Sequence, residues 1–397
     1  MTESTRVLLK ARWLFDGASP RPLDRGAVLI EGSRIAWAGA AADAPPHDGA
    51  EIVDRGDETL MPGFIDAHTH LALIPGLGNQ AGQMSASPVE LMLRSVGNIR
   101  RDLLSGVTTM RILGEREFND VACRRAIEEG LVPGPELVIA TRALKPSNGH
   151  GASPVAADGP DAIRRIVREN FKAGAEWVKL FVTGGISSGD TDPDYCGYSR
   201  EEIRTAVEEA ARVGRGVAVH AHGGPGVRVC IEEGVRTIEH GAFISSDDLA
   251  LMKERGTWLV LTNTILFHPE GLAKRDFEVP SIRVKILRGR EMLSGTFRKV
   301  LDSGVRYALG TDGMHGYLPD EIVQVVAFGA APGQALLAAT SWGAEAIGVQ
   351  ATRGTLEPGK RADVISVKGN PFDDISVVTK RGCMYKGGVP LGDLSAC

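Results

Sequence analysis

Long hydrophobic runs, basic clusters and paired cysteines are missing from this chain, and each absence removes a class of function. No apolar stretch approaches the roughly 20 residues that span a bilayer. The opening MTESTRVLLKARWLF lacks a basic segment followed by a sustained apolar one, so a cytoplasmic protein without membrane contact is expected. No run of Lys or Arg marks a surface for nucleic acid or anionic lipid, and the formal net charge is only −5 over 397 residues. Small-molecule chemistry is the expectation that remains. The five cysteines, Cys123, Cys196, Cys230, Cys383 and Cys397, are odd in number and scattered, which fits reduced thiols rather than a disulfide framework or a zinc finger.

What is present is an ordinary globular composition, 43% hydrophobic, long enough for one large domain and a smaller one. Segments 6–9, 27–31, 34–38 and 51–53 alternate apolar and polar residues around a Gly32-Ser33 turn, as a small antiparallel sheet does. After Pro62-Gly63 the pattern changes to short apolar strands alternating with helical segments, the signature of parallel α/β architecture. Strands are expected at 64–68, 107–113, 136–141, 177–182, 216–220, 237–240, 257–262 and 305–311. Eight such units predict a closed TIM-type (β/α)8 barrel. Helices are expected at 88–105, 120–129, 159–173, 199–213, 224–233, 246–254, 284–303, 320–326 and 333–347. The segment GTLEPGKRADVISVKGNPFDDI then returns to strand and turn character, so residues 1–60 and 351–397 are read as one discontinuous β-sandwich domain flanking a barrel of residues 61–350.

In such a barrel the chemistry sits at the C-terminal ends of the strands. The first strand ends in His68-Thr69-His70, two imidazoles that face one way on an extended segment. The fourth carries Lys179, the fifth ends with His220 and His222, the sixth with His240 and the eighth with Asp312. Singly, each has a plain structural explanation: a strand-end histidine is commonly hydrogen-bonded filler, a lysine can reach to the rim, and an aspartate before glycine is a turn residue. Together, at the ends of five strands, they point to a metal site.

The motifs MPGFIDAHTH, WVKLFVTGG, VAVHAHG, TIEHG, LGTDG and GTLEPGKRADVISVKGNP occur in the order found in metal-dependent amidohydrolases, and the chain resembles that superfamily from Val28 to Asp374. The resemblance implies two divalent ions, zinc by preference, one bound by His68, His70 and Asp312 and the other by His220 and His240. It implies that Lys179 is carboxylated to a bridging carbamate, and that Asp312 acts as general base and then acid beside a metal-bridging hydroxide. His222 falls to substrate contact or to support of the ligands; geometry alone does not separate it from His220.

The loops ATRALKPSNGHG and GGISSGDTDPDYCGYSREE resemble the branch holding Xaa-Pro and other dipeptidases, N-acyl-amino-acid hydrolases and mycotoxin or pesticide amide hydrolases. By that likeness His150 is a catalytic and substrate-binding residue, while Arg142, Tyr195 and Tyr198 are substrate-binding candidates. Each tyrosine could instead pack against the helix that follows, and Arg142 could serve a salt bridge. His268 and His315 lie near the rim without an assigned role, and His47 reads as surface. One departure stands out. Lys145 and Pro146 occupy a stretch where the branch has small residues, which changes the pocket and adds a positive charge. The competing reading is a mononuclear cyclic-amide hydrolase or deaminase resembling imidazolonepropionase; those relatives carry a glutamate where this chain has Gly223. A small-molecule amide is the expected partner, and a homo-oligomer is compatible with the sequence.

Overall fold

The computed structural model of the chain describes residues 6–151, 155–187 and 191–393. Cys397 and residues 188–190 of the loop after the fourth barrel strand lie outside the described residues. The architecture is α/β: a (β/α)8 barrel with strands Phe64–Thr69, Val107–Ile112, Glu136–Ile139, Trp177–Phe181, Gly216–Ala221, Thr237–His240, Trp258–Leu261 and Tyr307–Leu309, one in each segment the sequence marks. Nearly every residue in them is buried, because a parallel strand has helices on one face and the barrel interior on the other. Parallel ladders join strands one to three and four to eight. Two seams close the ring: Glu176 N donates to Ile139 O at 2.7 Å, and Thr311 N and Asp312 N both donate to His68 O at 2.9 Å. The second seam is therefore made by residues the sequence marks as functional.

The helices begin and end on local chemistry. Ser87 caps Pro88–Leu104 by accepting from Glu90 N, and Ser199 with Glu202 forms a capping box on Arg200–Ala211. The expected single helix over 333–347 is instead two, Pro332–Ala338 and Ser341–Ile347. The break frees the Ala339 carbonyl, which in a continuous helix would accept from Gly343 N, to accept from Ile65 N at 2.8 Å. A tertiary hydrogen bond to the first strand thus outweighs local helical preference. No described helix is long and apolar enough to cross a membrane.

Beside the barrel lies an eight-stranded sheet drawn from both ends of the chain. Glu58–Pro62 pairs antiparallel with Val364–Lys368, which joins the two ends. The sheet forks at Arg6–Leu14, whose one edge takes Leu23–Glu31 and whose other edge takes first Glu51–Asp54 and then Glu58–Pro62. Alternation divides its faces. Val364, Cys383 and Tyr385 pack with Val7, Leu9 and Val28, whereas Ile365, Val367 and Met384 pack into the main barrel core.

The closing seam is tight. A Cβ at Gly310 would lie 2.6 Å from His68 Cβ and 2.8 Å from His68 N. Gly310→Ala is therefore expected to destabilise the fold by about 1–3 kcal/mol. Gly97→Ala, at an exposed position of helix Pro88–Leu104 with nothing within 4 Å of the added carbon, should stabilise it by up to about 1 kcal/mol. Urea midpoints of the two variants measured side by side check this, and equal midpoints would contradict the packing described.

Candidate active site

The site is built on a carboxylate buried beneath it. Glu239, on the sixth strand, is fully buried, and so are His68 and Arg111 from the first and second strands. His68 Nδ1 donates to Glu239 Oε2 at 2.7 Å, Arg111 Nη2 donates to Glu239 Oε1 at 3.0 Å, and the Thr237 hydroxyl donates to the same carboxylate. Arg111 Nε donates to Ala67 O at 2.7 Å, and the guanidinium lies 4.4 Å over the Trp177 ring. Burial opposes ionisation of Glu239, but Arg111 and then His68 outweigh it and hold its pKa down to about 2. The carboxylate in turn fixes the His68 tautomer, leaving the Nε2 lone pair free.

His68 Nε2 is 3.4 Å from Asp312 Oδ1 but is not aligned for a hydrogen bond, and it has no other partner. His70 donates Nδ1–H to Gly114 O at 3.1 Å and brings Nε2 to 3.5 Å from the same Asp312 oxygen. His240 Nδ1 pairs with Thr262 Oγ1 at 2.7 Å, and His220 donates Nε2–H to Gly184 O at 3.3 Å. Each ring is anchored by one nitrogen, so the other is available as a ligand. The ligand atoms of His68, His240 and Asp312 all lie within 4.8 Å of one another. The His220 and His240 ring centres are 4.6 Å apart.

Burial lowers the pKa of His70 and His222 to about 4, of His150 to about 3, and of His220 and His240 well below the usual imidazole range. These imidazoles are neutral at pH 7, the form that binds metal. Lys179 is fully buried and its Nζ has no hydrogen-bond partner among the described residues. Burial lowers its pKa to about 8, although Glu239 and Asp312 pull the other way. Burial also opposes the charge on Asp312, but His68, His70 and Lys179 outweigh it and its pKa is lowered. His240 and Asp312 sit at φ of +73° and +53°, a left-handed conformation that costs free energy in non-glycine residues and clusters at functional sites.

Above the cluster opens a cavity of about 600 Å³ whose wall includes His70, His150, His220, His222, His240 and Asp312. Tyr195, expected to bind substrate, does not border the cavity; its hydroxyl accepts at 2.9 Å from Nδ2 of Asn148, which does. Two more expected substrate contacts are corrected by their packing. Arg142 turns away from the cavity because helix Pro160–Ala173 offers it better partners: Glu169 at 2.8 Å and Asn170 at 3.1 Å, with the Phe118 ring beneath at 4.7 Å. Tyr198 is 4% exposed and packs into the barrel core, away from the cavity wall. His268 packs at a tilt against Tyr317, ring centres 4.3 Å apart, outside the cavity, and His47 bonds Pro45 O near the surface. His315 braces the site from behind, with Nδ1 at 2.6 Å from Asp102 Oδ2 and Nε2 at 2.9 Å from His70 O.

Arg111, Glu239 and Asp66 carry the support of the site yet are not among the residues the motifs single out. The available signal was their charge inside otherwise apolar strands, which is costly unless each charge finds a partner. Glu115 was also missed; it is 1% exposed and accepts from Leu71 N at 2.5 Å, holding the chain just after His70.

A parallel barrel with this cluster at the C-terminal ends of its strands defines a hydrolase acting on amide C–N bonds, and comparison with known proteins agrees. Residues 59–389 match the model of the Amidohydrolase family, and the chain belongs to that family. Ochratoxinase of Aspergillus niger is 29% identical over 97% of this chain and 88% of the relative. An imidazolonepropionase of an Arthrobacter species is 26% identical over 78% of this chain and 76% of its own length. Among solved structures, a Xaa-Pro dipeptidase with bound methionine in the active site superposes with a TM-score of 0.88 at 29% identity, covering 97% of this chain and 99% of its own. The Aspergillus niger ochratoxinase structure gives 0.87 at 28%, covering 97% and 95%.

The His315 brace predicts a pH dependence. Burial opposes its charging, but Asp102 and the His70 carbonyl outweigh burial and raise its pKa. Its stabilising contribution is therefore fully present below the unfolded imidazole value of about 6.5 and lost as the pH rises through the higher folded value. The stability gap between the native chain and His315→Asn should be widest in acid and narrow with rising pH. Denaturant titrations at several pH values test it; a gap that widens with pH would contradict the brace.

Proposed function

We propose that the chain is a binuclear metal-dependent hydrolase that cleaves a small linear amide, a dipeptide or an N-acyl amino acid. The observation that carries this reading is Lys179, a lysine buried without a hydrogen-bond partner among the described residues, beside a cluster of neutral imidazoles. Burying an ammonium without hydrogen bonds is costly, and the lowered pKa raises the neutral fraction far above that of an ordinary lysine, although the ammonium still predominates at pH 7. A neutral Nζ can add carbon dioxide: an N–C bond forms, an amine proton leaves, and the carbamate so made is an anionic ligand in place of a strained cation.

Two divalent ions would be held by His68, His70 and Asp312 on one side and His220 and His240 on the other, with carboxylated Lys179 as a shared ligand; imidazole and carboxylate ligands suit zinc. Such ions supply a water acidified to near neutrality and a Lewis acid for the scissile carbonyl. Glu239 orients His68 for ligation through the bond to its Nδ1. Asp312, held ionised by its neighbours, accepts the proton of the attacking water and passes it to the leaving nitrogen. His150 and His222 are neutral, border the cavity and each keep a buried Nδ1 without a hydrogen-bond partner among the described residues, which supports a role in holding the substrate carbonyl and the charge it develops. The likeness to relatives named for ochratoxin and Xaa-Pro dipeptide hydrolysis supports a linear amide.

Elemental analysis of the purified chain should find two zinc equivalents, reduced to one or none by Lys179→Ala, with turnover of dipeptides or N-acyl amino acids falling about 10²-fold or more. A single ion indifferent to that substitution, with turnover confined to cyclic imides and lactams, would replace this reading by the mononuclear cyclic-amide one.

A further inference from the structure

The seventh barrel strand ends just short of the catalytic cluster. Its ladder with the sixth strand stops at Glu239 and Val260, and its ladder with the eighth stops at Leu261 and Leu309. Thr262 is the first residue beyond both ladders, yet its Oγ1 meets His240 Nδ1 at 2.7 Å and fixes the imidazole. His240 itself sits at φ +73°, a strained conformation that its surroundings must hold. The position of Thr262 therefore decides where the ring points, and the sheet does not set that position.

A carboxylate from another element does. Glu321 is fully buried on helix Leu318–Ala327, which follows Asp312 in the chain. Its Oε1 accepts from Asn263 N at 2.8 Å and from Asn263 Nδ2 at 2.7 Å, and its Oε2 accepts from Thr264 N at 2.6 Å. The first of these donors belongs to the peptide that joins Thr262 to Asn263. Asn263 and Thr264 are buried, so without the carboxylate their backbone N–H groups would lose their partner away from bulk water.

The plain role for such a carboxylate is to start the short helix Thr264–Phe267 that follows. Its location gives it a second one. Thr262 and Asn263 border the cavity together with His240 and Asp312, whereas Glu321 stands behind them and does not. The grip on the Thr262 peptide begins where the ladders stop, and it ties the end of the seventh strand to the helix after the eighth.

We infer that Glu321 is a positioning residue for His240: it fixes the Thr262 peptide, and the Thr262 hydroxyl then holds Nδ1 so that Nε2 is left to ligate a metal ion. The inference rests on the metal-dependent reading for one point, that His240 is a ligand. Glu321 acts through Thr262 and touches neither ion nor substrate.

Competition with a chelator on the full chain measures zinc affinity without any turnover. Thr262→Val keeps the shape and removes the hydroxyl, and Glu321→Gln sets an amide N–H group against N–H donors. Each should weaken one bound zinc by about 10–100-fold, whereas Thr262→Ser, which keeps the hydroxyl, should bind nearly as the native chain does. The double variant should bind no more weakly than the weaker single one, because both changes break the same line of contacts. Should Glu321→Gln not fold, Glu321→Asp, whose carboxylate falls short of the donors, takes its place with the same expected loss. A lowered Tm with native zinc affinity in the Glu321 variant would leave the carboxylate a support of the fold alone and overturn the inference. Losses that add in full in the double variant would overturn it too. A native chain that holds one zinc, weakened in the same way, would replace the two-ion reading and leave this inference standing; a native chain that holds none would overturn both.

Discussion

The Glu239 carboxylate is the contact on which the rest of the site depends. It is fully buried, and three side chains from three different strands satisfy it: His68, Arg111 and Thr237. A buried ion pair contributes little net stability, since desolvation offsets the Coulomb attraction, yet removing one member strands the other. Its effect here is orientation. It ties the first, second and sixth strands in register and leaves the His68 Nε2 lone pair facing Asp312.

The same low dielectric that makes Glu239 demanding shapes the remaining groups. Five imidazoles, three of them fully buried and two partly, crowd together as neutral rings because burial disfavours their charge. His240 and Asp312 are held in left-handed backbone, and the bond from Asp312 N to His68 O closes the barrel at that point. Supports from behind complete the frame. Thr311 donates its hydroxyl to Asp66 Oδ2 at 2.6 Å, and His315 links Asp102 to the His70 carbonyl. The lone pairs are thus set by the fold before any ligand arrives, and part of the fold's stability is given up to set them.

The barrel is legible because apolar runs of strand length between capped helices leave few alternatives, and every strand matches its marked segment to within two residues at either end. The metal-type residues were legible because they end those strands. What the sequence concealed depends on tertiary partners. Arg142 and Tyr198 leave loops in directions decided by Glu169 of a helix and by a space in the core. The break between Ala338 and Ser341 is decided by Ile65, far away in the chain. The Arg111 to Glu239 pair spans 128 positions and exists only once the barrel is in register. The apolar wall of the cavity draws on residues 265–293, which carry no motif, and on Ile186 from the loop after the fourth strand.

The central claim is that Lys179 belongs to a site for two ions rather than one. Crystals of the chain grown with zinc, measured on both sides of the zinc absorption edge, test it most directly. The account predicts two anomalous peaks about 3.5–4 Å apart, one beside His68, His70 and Asp312 and one beside His220 and His240, with carbamate density extending from Lys179 Nζ between them. A single peak with an unmodified lysine would contradict it.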